Sequence, residues 1–236
     1  SYNLKGVPYH RPGDPYRQIY FRGGSFDNAY WVPHNNTFNE KTDRFFGNAF
    51  VAFNTDVADN MGLNVRYQIG ADTYTTHLQD IFGYGSRNNS KGVIDNYGRS
   101  NNVINSLLTA TFDWRISDDL TFDLMVGNEF NHGTSKYYSE SGTDFNFGGW
   151  NHINNASIVT ADESQYQDRT VGFFGNLSLN WKSMIYLNAT GRQDYVSSMP
   201  RDNRTFFYPS VSLGFVATEI DALREISWLS FARARV

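Results

Sequence analysis

The stretch Leu63-Asn64-Val65-Arg66-Tyr67-Gln68-Ile69-Gly70-Ala71-Asp72-Thr73 alternates apolar and polar residues almost without error. Up to residue 71, its odd-numbered positions carry aliphatic and aromatic side chains, and its even-numbered positions carry amides, charges and a glycine. Successive side chains of a β-strand point to opposite faces of a sheet. This period of two therefore predicts a strand with one apolar and one polar face.

The same alternation recurs along most of the chain. Further segments of this kind lie near residues 44–54, 105–116, 120–130, 171–181, 185–194, 206–217 and 228–236. Together with residues 63–73 they make about eight strands, so the sequence predicts an all-β protein. The exception is residues 218–226, where Thr218 precedes the acidic Glu219 and Asp221. That pattern predicts a short helical turn with Thr218 as its N-cap.

The connections between the segments alternate between short and long. Tight polar links fall at residues 55–60, 117–119 and 182–183. Long connections, rich in Asn, Gly, Ser and Tyr, fall at residues 74–102, 132–168 and 197–205. The predicted strands of about 10–14 residues are near the ~9–11 that a tilted strand needs to cross a bilayer. We therefore expect a partial wall of an antiparallel up-and-down transmembrane β-barrel, with periplasmic turns and extracellular loops.

The composition excludes several other classes of protein. The 236 residues include no cysteine, which rules out a disulfide-stapled fold and a Cys-ligated zinc domain. With 20 Lys and Arg against 24 Asp and Glu, and no basic run, the chain lacks the electrostatic footprint of nucleic-acid binding. Its apolar runs are only a few residues long, so the sequence predicts no transmembrane helix.

Catalytic and metal-binding patterns are missing from the sequence. The five histidines, at positions 10, 34, 77, 132 and 152, have no metal-ligand spacing. The acidic pairs at residues 118–119 and 162–163 fall where solvated turns are expected. We expect no enzyme activity, no cofactor and no metal. A soluble β-sandwich carbohydrate-binding module shares the period of two and remains the alternative, and a glycan-processing β-protein is a more distant one.

Two sets of side chains are candidates for function. Aromatic residues in the long connections are candidates for contact with a substrate or a partner, because rings flanked by amides suit sugars and peptides. They are Tyr84, Tyr97, Tyr137, Tyr138, Phe145, Phe147, Trp150 and Tyr166. The equal alternative is that these rings pack the loops against one another and contact no ligand. Polar residues on the second face of the strands are candidates for lining a barrel lumen, since charges facing lipid are costly. They are Arg66, Asp72, Asp113, Arg115, Asp123, Glu129, Arg192 and Asp194.

Several segments resemble one family of transporters. They are NAYW at residues 28–31, NN at 35–36, DRFFGN at 43–48, RQDYVSSMP at 192–200, FYPSVSLGF at 207–215, TEI at 218–220 and LSFARARV at 229–236. These segments are similar to the barrel of SusC/RagA-type TonB-dependent outer-membrane transporters of Bacteroidetes. Ala29, Arg233 and Ala234 depart from the family pattern, which usually has Pro, Lys and Leu there.

The resemblance implies a function for the chain. Residues 1–236 would be an interior part of a barrel of about 22 strands, without the plug and the TonB box, and residues 1–43 would be mostly extracellular loop. The parent would import an oligosaccharide or a peptide across the outer membrane of a Gram-negative bacterium. Its partners would be membrane lipid, a SusD-like surface lipoprotein and the TonB–ExbB–ExbD complex.

Overall fold

A computed structural model describes residues 6–20, 24–87, 89–226 and 228–236. Its regular elements are strands, two four-residue helices and three short 3₁₀ turns. In chain order they are β1 (His10–Arg11), β2 (Asp14–Gln18), α1 (Val32–Asn35), β3 (Thr37–Ala58), β4 (Met61–Phe82), β5 (Val93–Ser117), β6 (Leu120–Phe145), β7 (Ala156–Trp181), β8 (Ile185–Val196), β9 (Thr205–Val216), α2 (Asp221–Arg224) and β10 (Arg233–Arg235).

Strands β3 to β10 form one eight-stranded sheet in which every strand pairs with its neighbours in chain order. The pairs β7–β8, β8–β9 and β9–β10 are antiparallel. Strands β1 and β2 form a separate antiparallel hairpin. The predicted all-β, up-and-down antiparallel fold is therefore confirmed. No helix within the described ranges has the length and apolarity needed to cross a membrane.

The predicted lengths were confirmed for β8, β9 and the connection between them, but they were wrong for β3 to β7 and for the other two long connections. Strands β3 to β7 run for 22 to 26 residues each, and they absorb most of the predicted long loops. The connections that remain are residues 83–92, 146–155 and 197–204. A segment rich in amides and glycine has the composition of a loop. A strand whose two faces are both exposed to water, however, does not need alternating apolar residues. Backbone pairing with the neighbouring strands is enough to hold it extended.

The cross-strand register confirms the two predicted faces in β7, β8 and β9. Directly opposed residues of antiparallel strands share a face. Leu179 lies opposite Leu187, which lies opposite Leu213, so these three leucines form a row on the apolar face. On the other face, Ser178 lies opposite Asn188, and its hydroxyl bonds the Asn188 Oδ1 at 2.7 Å.

The predicted helical turn is confirmed, but its predicted cap is wrong. A 3₁₀ turn at Ala217–Glu219 leads into α2. Neither element has a side-chain cap, because Thr218 lies inside the 3₁₀ turn instead of ahead of a helix. Its buried hydroxyl accepts from the Ala232 backbone N–H at 3.5 Å. The strand predicted at residues 228–236 shortens to β10, which holds three residues.

The chain divides into two compact units, and each is described by itself. The first comprises Ser1–Phe45, Thr73–Asn101 and Thr134–Tyr166. Its core holds Ile81, Ile94 and Phe145. The second comprises Phe46–Asp72, Asn102–Gly133 and Gln167–Val236, and it includes β8 and β9 with their apolar and polar faces.

Candidate functional site

The first unit contains a cavity of about 800 Å³ beside the β1–β2 hairpin. Two of the predicted contact residues, Tyr84 and Phe147, line it. The hairpin adds five lining residues that were not predicted, namely Arg11, Asp14, Tyr16, Arg17 and Gln18. A cavity of this size is within the range of ligand pockets, which measure roughly 300–1,000 Å³.

A buried glutamine holds the hairpin in place. The Gln18 Nε2 donates to the Asp27 Oδ1 at 2.5 Å and to the Gly85 carbonyl at 2.9 Å. Its Oε1 accepts from the Asn28 backbone N–H at 2.8 Å. Gln18 is only 4% exposed, so loss of these bonds would leave buried polar groups unpaired. The amide therefore fixes the position of β2 against the 83–92 loop.

A buried tryptophan also anchors this segment. Trp31 is fully buried, and its indole Nε1 donates to the Pro15 carbonyl at 3.0 Å. The Tyr16 ring packs against Gly148, where a Cβ atom would stand 2.6 Å from two ring carbons. Any larger residue at position 148 would push the ring away. The glycine in the 146–155 loop is therefore the reason that Tyr16 can reach the cavity wall.

The 146–155 loop presents three stacked rings. The Phe147 and Trp150 centroids are 5.9 Å apart, and the Trp150 and His152 centroids are 5.2 Å apart, with interplanar angles of 17° and 8°. The loop keeps this shape through Asn155, whose Nδ2 donates to the carbonyls of Phe147 and Trp150, both at 2.8 Å. Asn155 is 1% exposed, whereas the Phe147 and Trp150 rings are exposed.

The other predicted aromatic residues lie on strands and not in loops. Tyr97 is on β5, and its hydroxyl donates to the Asp80 carboxylate at 3.0 Å. Tyr138 on β6 bonds the His77 Nδ1 at 2.5 Å. Tyr137 on β6 and Tyr166 on β7 are exposed.

For Phe145, the prediction of contact with a substrate or a partner is wrong. It ends β6 and is only 2% exposed, because its ring packs with Ile81 and Ile94 in the core of the first unit. A Cβ atom at Gly92 would collide with that ring. Phe145 therefore supports the cavity region by packing and does not present its ring to a ligand. For this residue, the packing interpretation of the loop aromatics is the right one.

In the second unit, three of the predicted lumen-lining residues form one ionic cluster. The Arg192 Nη2 donates to the Glu129 Oε2 at 2.7 Å, and the Arg192 Nε donates to the Asp194 Oδ1 at 2.8 Å. The guanidinium also lies 5.6 Å from the centre of the Phe174 ring. Register places Phe174 directly opposite Arg192, so both lie on the polar face.

The remaining predicted lumen residues form other groups in the same unit. Asp113, Arg115 and Asp123 border a cavity of about 320 Å³. The Arg66 guanidinium lies 4.0 Å from the centre of the Phe50 ring. Asp72 borders a smaller cavity of about 210 Å³ together with Gln68 and Asn105. The structure thus gathers the eight residues into separate polar groups instead of one site.

A sheet whose strands follow one another in chain order has the up-and-down connectivity that is found in β-barrels. Several solved structures share this fold. The chain is similar to the RagAB peptide transporter (TM-score 0.70, 15% identity, 92% of this chain) and to the RagAB peptide importer in its closed-closed state (0.67, 17%, 92%) and open-open state (0.66, 16%, 95%).

These likenesses concern part of a much longer protein. The chain spans about a quarter of the length of the transporter chains that it matches, 24% for the first two and 25% for the third. No protein-family model and no curated protein sequence matches the chain. With identities of 15 to 17%, the likeness establishes the fold, and the function is argued separately below.

Proposed function

We propose that this chain is part of the barrel wall of an outer-membrane, TonB-dependent nutrient importer. The observation that carries the proposal is the pairing of β7, β8 and β9, which places all of their leucines on one face and their charged side chains, with most of their amides, on the other. Such a sheet suits a wall with lipid on one side and water on the other. The likeness to RagAB transporter chains supports the same interpretation.

The exposure of the apolar face supports contact with lipid. Val211, Leu213 and Phe207 on β9 are each at least half exposed, although all three are large and apolar. A water-soluble sheet would cover such a row with a second layer. The strands of 22 to 26 residues are also about twice as long as a bilayer requires, so the remaining residues of each would extend beyond it.

The imported nutrient would be a peptide or an oligosaccharide, handed over by a SusD-like surface lipoprotein. The exposed aromatic residues of the 146–155 loop and the cavity beside the hairpin are the groups that would meet the nutrient or the lipoprotein. Energy would come from TonB–ExbB–ExbD through a plug supplied by another part of the protein. No residue is assigned a catalytic role in this proposal.

The alternative, a soluble β-sandwich, needs two packed sheets of comparable size. In the parts of the chain that the structure describes, the sheets have eight strands and two strands. The two-stranded hairpin is too small to cover the apolar face of an eight-stranded sheet. The observed topology therefore favours the transporter over the carbohydrate-binding module.

Cell fractionation tests the proposed function. The complete protein that contains this chain should be expressed with its own leader and recovered in the outer-membrane fraction. There it should migrate faster on gels before boiling than after, as barrels do. Uptake of a labelled nutrient mixture should require both this protein and an intact TonB system. Recovery as a freely soluble monomer would contradict the proposal and favour the binding module.

A further inference from the structure

We propose that the cavity beside the β1–β2 hairpin binds a short peptide that carries a carboxylate. Arg11 and Arg17 would hold the carboxylate, and Asp14 would hold an ammonium group of the same peptide. This inference rests on the proposed function and selects one of the two nutrient classes left open there. All of the residues that carry it belong to the first unit.

The charges in the cavity wall favour an ionic ligand. Arg11, Asp14 and Arg17 are all exposed. Neither guanidinium takes part in a hydrogen bond or an ion pair with any other residue that the structure describes. Among the described residues, the Asp14 Oδ1 accepts from the Tyr16 backbone N–H alone, at 3.1 Å. A guanidinium matches the planar carboxylate through two parallel hydrogen bonds, so two arginines at one cavity suit an acidic ligand.

The two side-chain amides of the wall are already in use. The Gln18 amide makes three hydrogen bonds to Asp27, Gly85 and Asn28. The Asn146 amide donates to the Asn155 carbonyl at 2.9 Å and accepts from the Ser157 hydroxyl at 3.0 Å. Sugar hydroxyls are usually recognised by such amides. Because these amides are occupied, the charged side chains remain as polar contacts for a ligand, together with the hydroxyls of Ser90 and of the tyrosines in the wall.

The presence of both signs of charge favours a peptide over an acidic sugar. A peptide offers a carboxylate to Arg11 or Arg17 and an ammonium to Asp14. An acidic oligosaccharide offers only the carboxylate and would be repelled by Asp14. The apolar part of a peptide would meet the rings of Tyr16, Tyr84 and Phe147, which also line the cavity.

The cavity wall is held rigid before any ligand arrives. Tyr16 is supported by Gly148, and the Phe147 ring is stacked on Trp150. Gln18 holds the hairpin against the neighbouring loop. A wall that is already ordered loses little conformational entropy on binding, which raises the affinity for a ligand of matching shape.

Calorimetric titration of the complete, detergent-purified protein tests the inference. The probes are a tetrapeptide with one glutamate and free termini, its neutral counterpart with glutamine and blocked termini, and trigalacturonate. We expect the acidic peptide to bind and the neutral one to bind at least tenfold more weakly. Arg11→Gln and Arg17→Gln should each weaken acidic-peptide binding by about tenfold, because each removes a charge-assisted hydrogen bond.

Two further variants sharpen the test. Asp14→Asn should weaken binding of the acidic peptide that has a free amino terminus. It should leave binding of the acetylated form of this peptide unchanged. Arg87→Gln is the matched control, because Arg87 is an exposed arginine of the same unit that does not line the cavity. It should bind as the unchanged protein does. Retained heat-modifiable migration on gels shows that each variant is folded.

Three results would overturn the inference. They are equal binding of the acidic and neutral peptides, unchanged affinity in both cavity-arginine variants, and arginine-dependent binding of trigalacturonate without binding of peptide. The last result would assign the cavity to an acidic glycan. Each can occur while the protein still fractionates with the outer membrane and imports a nutrient, so failure here is distinguishable from failure of the proposed function.

Discussion

Arg192 of β8 donates to Glu129 of β6 at 2.7 Å, although β7 lies between these strands in the sheet. The arginine crosses β7 at Gly172, which lies directly opposite Asp194. A Cβ atom at Gly172 would stand 2.5 Å from the Arg192 Nη2 and 2.6 Å from the Asp194 Oδ1. Because Gly172 has no side chain, the Arg192 guanidinium can cross β7 and bind the carboxylates of both Glu129 and Asp194.

The glycine at the crossing yields the first prediction. Gly172→Ala should displace the Arg192 guanidinium and lower the free energy of unfolding by about 1 kcal/mol, a modest value because the ion pair is partly exposed. The matched control is Gly175→Ala on the same strand, where a Cβ atom would meet only the Met125 carbonyl at 3.7 Å. That control should be neutral or slightly stabilising. Urea unfolding in detergent measures both, and equal effects would contradict the crossing.

The two faces of β9 yield the second prediction. Val211→Arg would place a charge on the apolar face, at a cost of about 2–4 kcal/mol near the middle of a bilayer. Ser210→Arg changes the neighbouring residue, which lies on the polar face opposite Thr190. Assembly into heat-modifiable barrels should fall for Val211→Arg and persist for Ser210→Arg. Equal assembly of the two variants would argue against a lipid-facing surface on β9.

The shape of the 146–155 loop yields the third prediction. Asn155→Ala removes two buried hydrogen bonds to the loop carbonyls, which should destabilise the closed loop by about 1–3 kcal/mol. Chymotrypsin should then cleave faster after Phe147 and Trp150. Asn154→Ala is the control, because its exposed side chain supports no carbonyl of the loop. If cleavage rates of the two variants match, Asn155 does not hold the loop.

The anchor of the hairpin yields the fourth prediction. Trp31→Ala removes a fully buried ring and the hydrogen bond to Pro15, a loss of about 3–5 kcal/mol of local packing. The hairpin should detach, and trypsin should cleave after Arg17. Tyr30→Ala, which truncates an exposed ring next to it, should leave Arg17 protected. Protection of Arg17 in both variants would show that Trp31 is not the anchor.

Strand faces were predictable from sequence where one face is apolar. In residues 171–181 and 185–194 the alternation gave both the strands and the faces, because apolar residues or glycine occupy almost every second position. The lengths of β3 to β7 were not predictable, because the outer parts of β5 and β6 carry mostly polar residues without a regular alternation. There, hydrogen bonds to the backbone of a neighbouring strand decide the conformation. The sequence of one strand alone does not reveal which segment will pair with it.

The cavity was only half predictable from the sequence. Tyr84 and Phe147 were found as rings among glycine and asparagine, but Arg11 and Arg17 were not linked to them. More than 60 residues separate the hairpin from these rings, so only the fold brings them together. One local signal was present, since Pro12-Gly13-Asp14-Pro15 is a turn sequence, and Gly13 adopts a φ of 79°. Such a turn predicts a hairpin where residues 1–43 had been interpreted as mostly loop.

Site-directed spin labelling along β8 tests the central claim, a wall with lipid on one face and water on the other, most directly. The 236 residues contain no cysteine, so single cysteines can be placed at positions 187 to 190 in a cysteine-free version of the complete protein. In bilayers, labels at Leu187 and Ala189 should be accessible to oxygen and shielded from a water-soluble nickel reagent. Labels at Asn188 and Thr190 should show the reverse. Accessibility that does not alternate along these four residues would contradict the account.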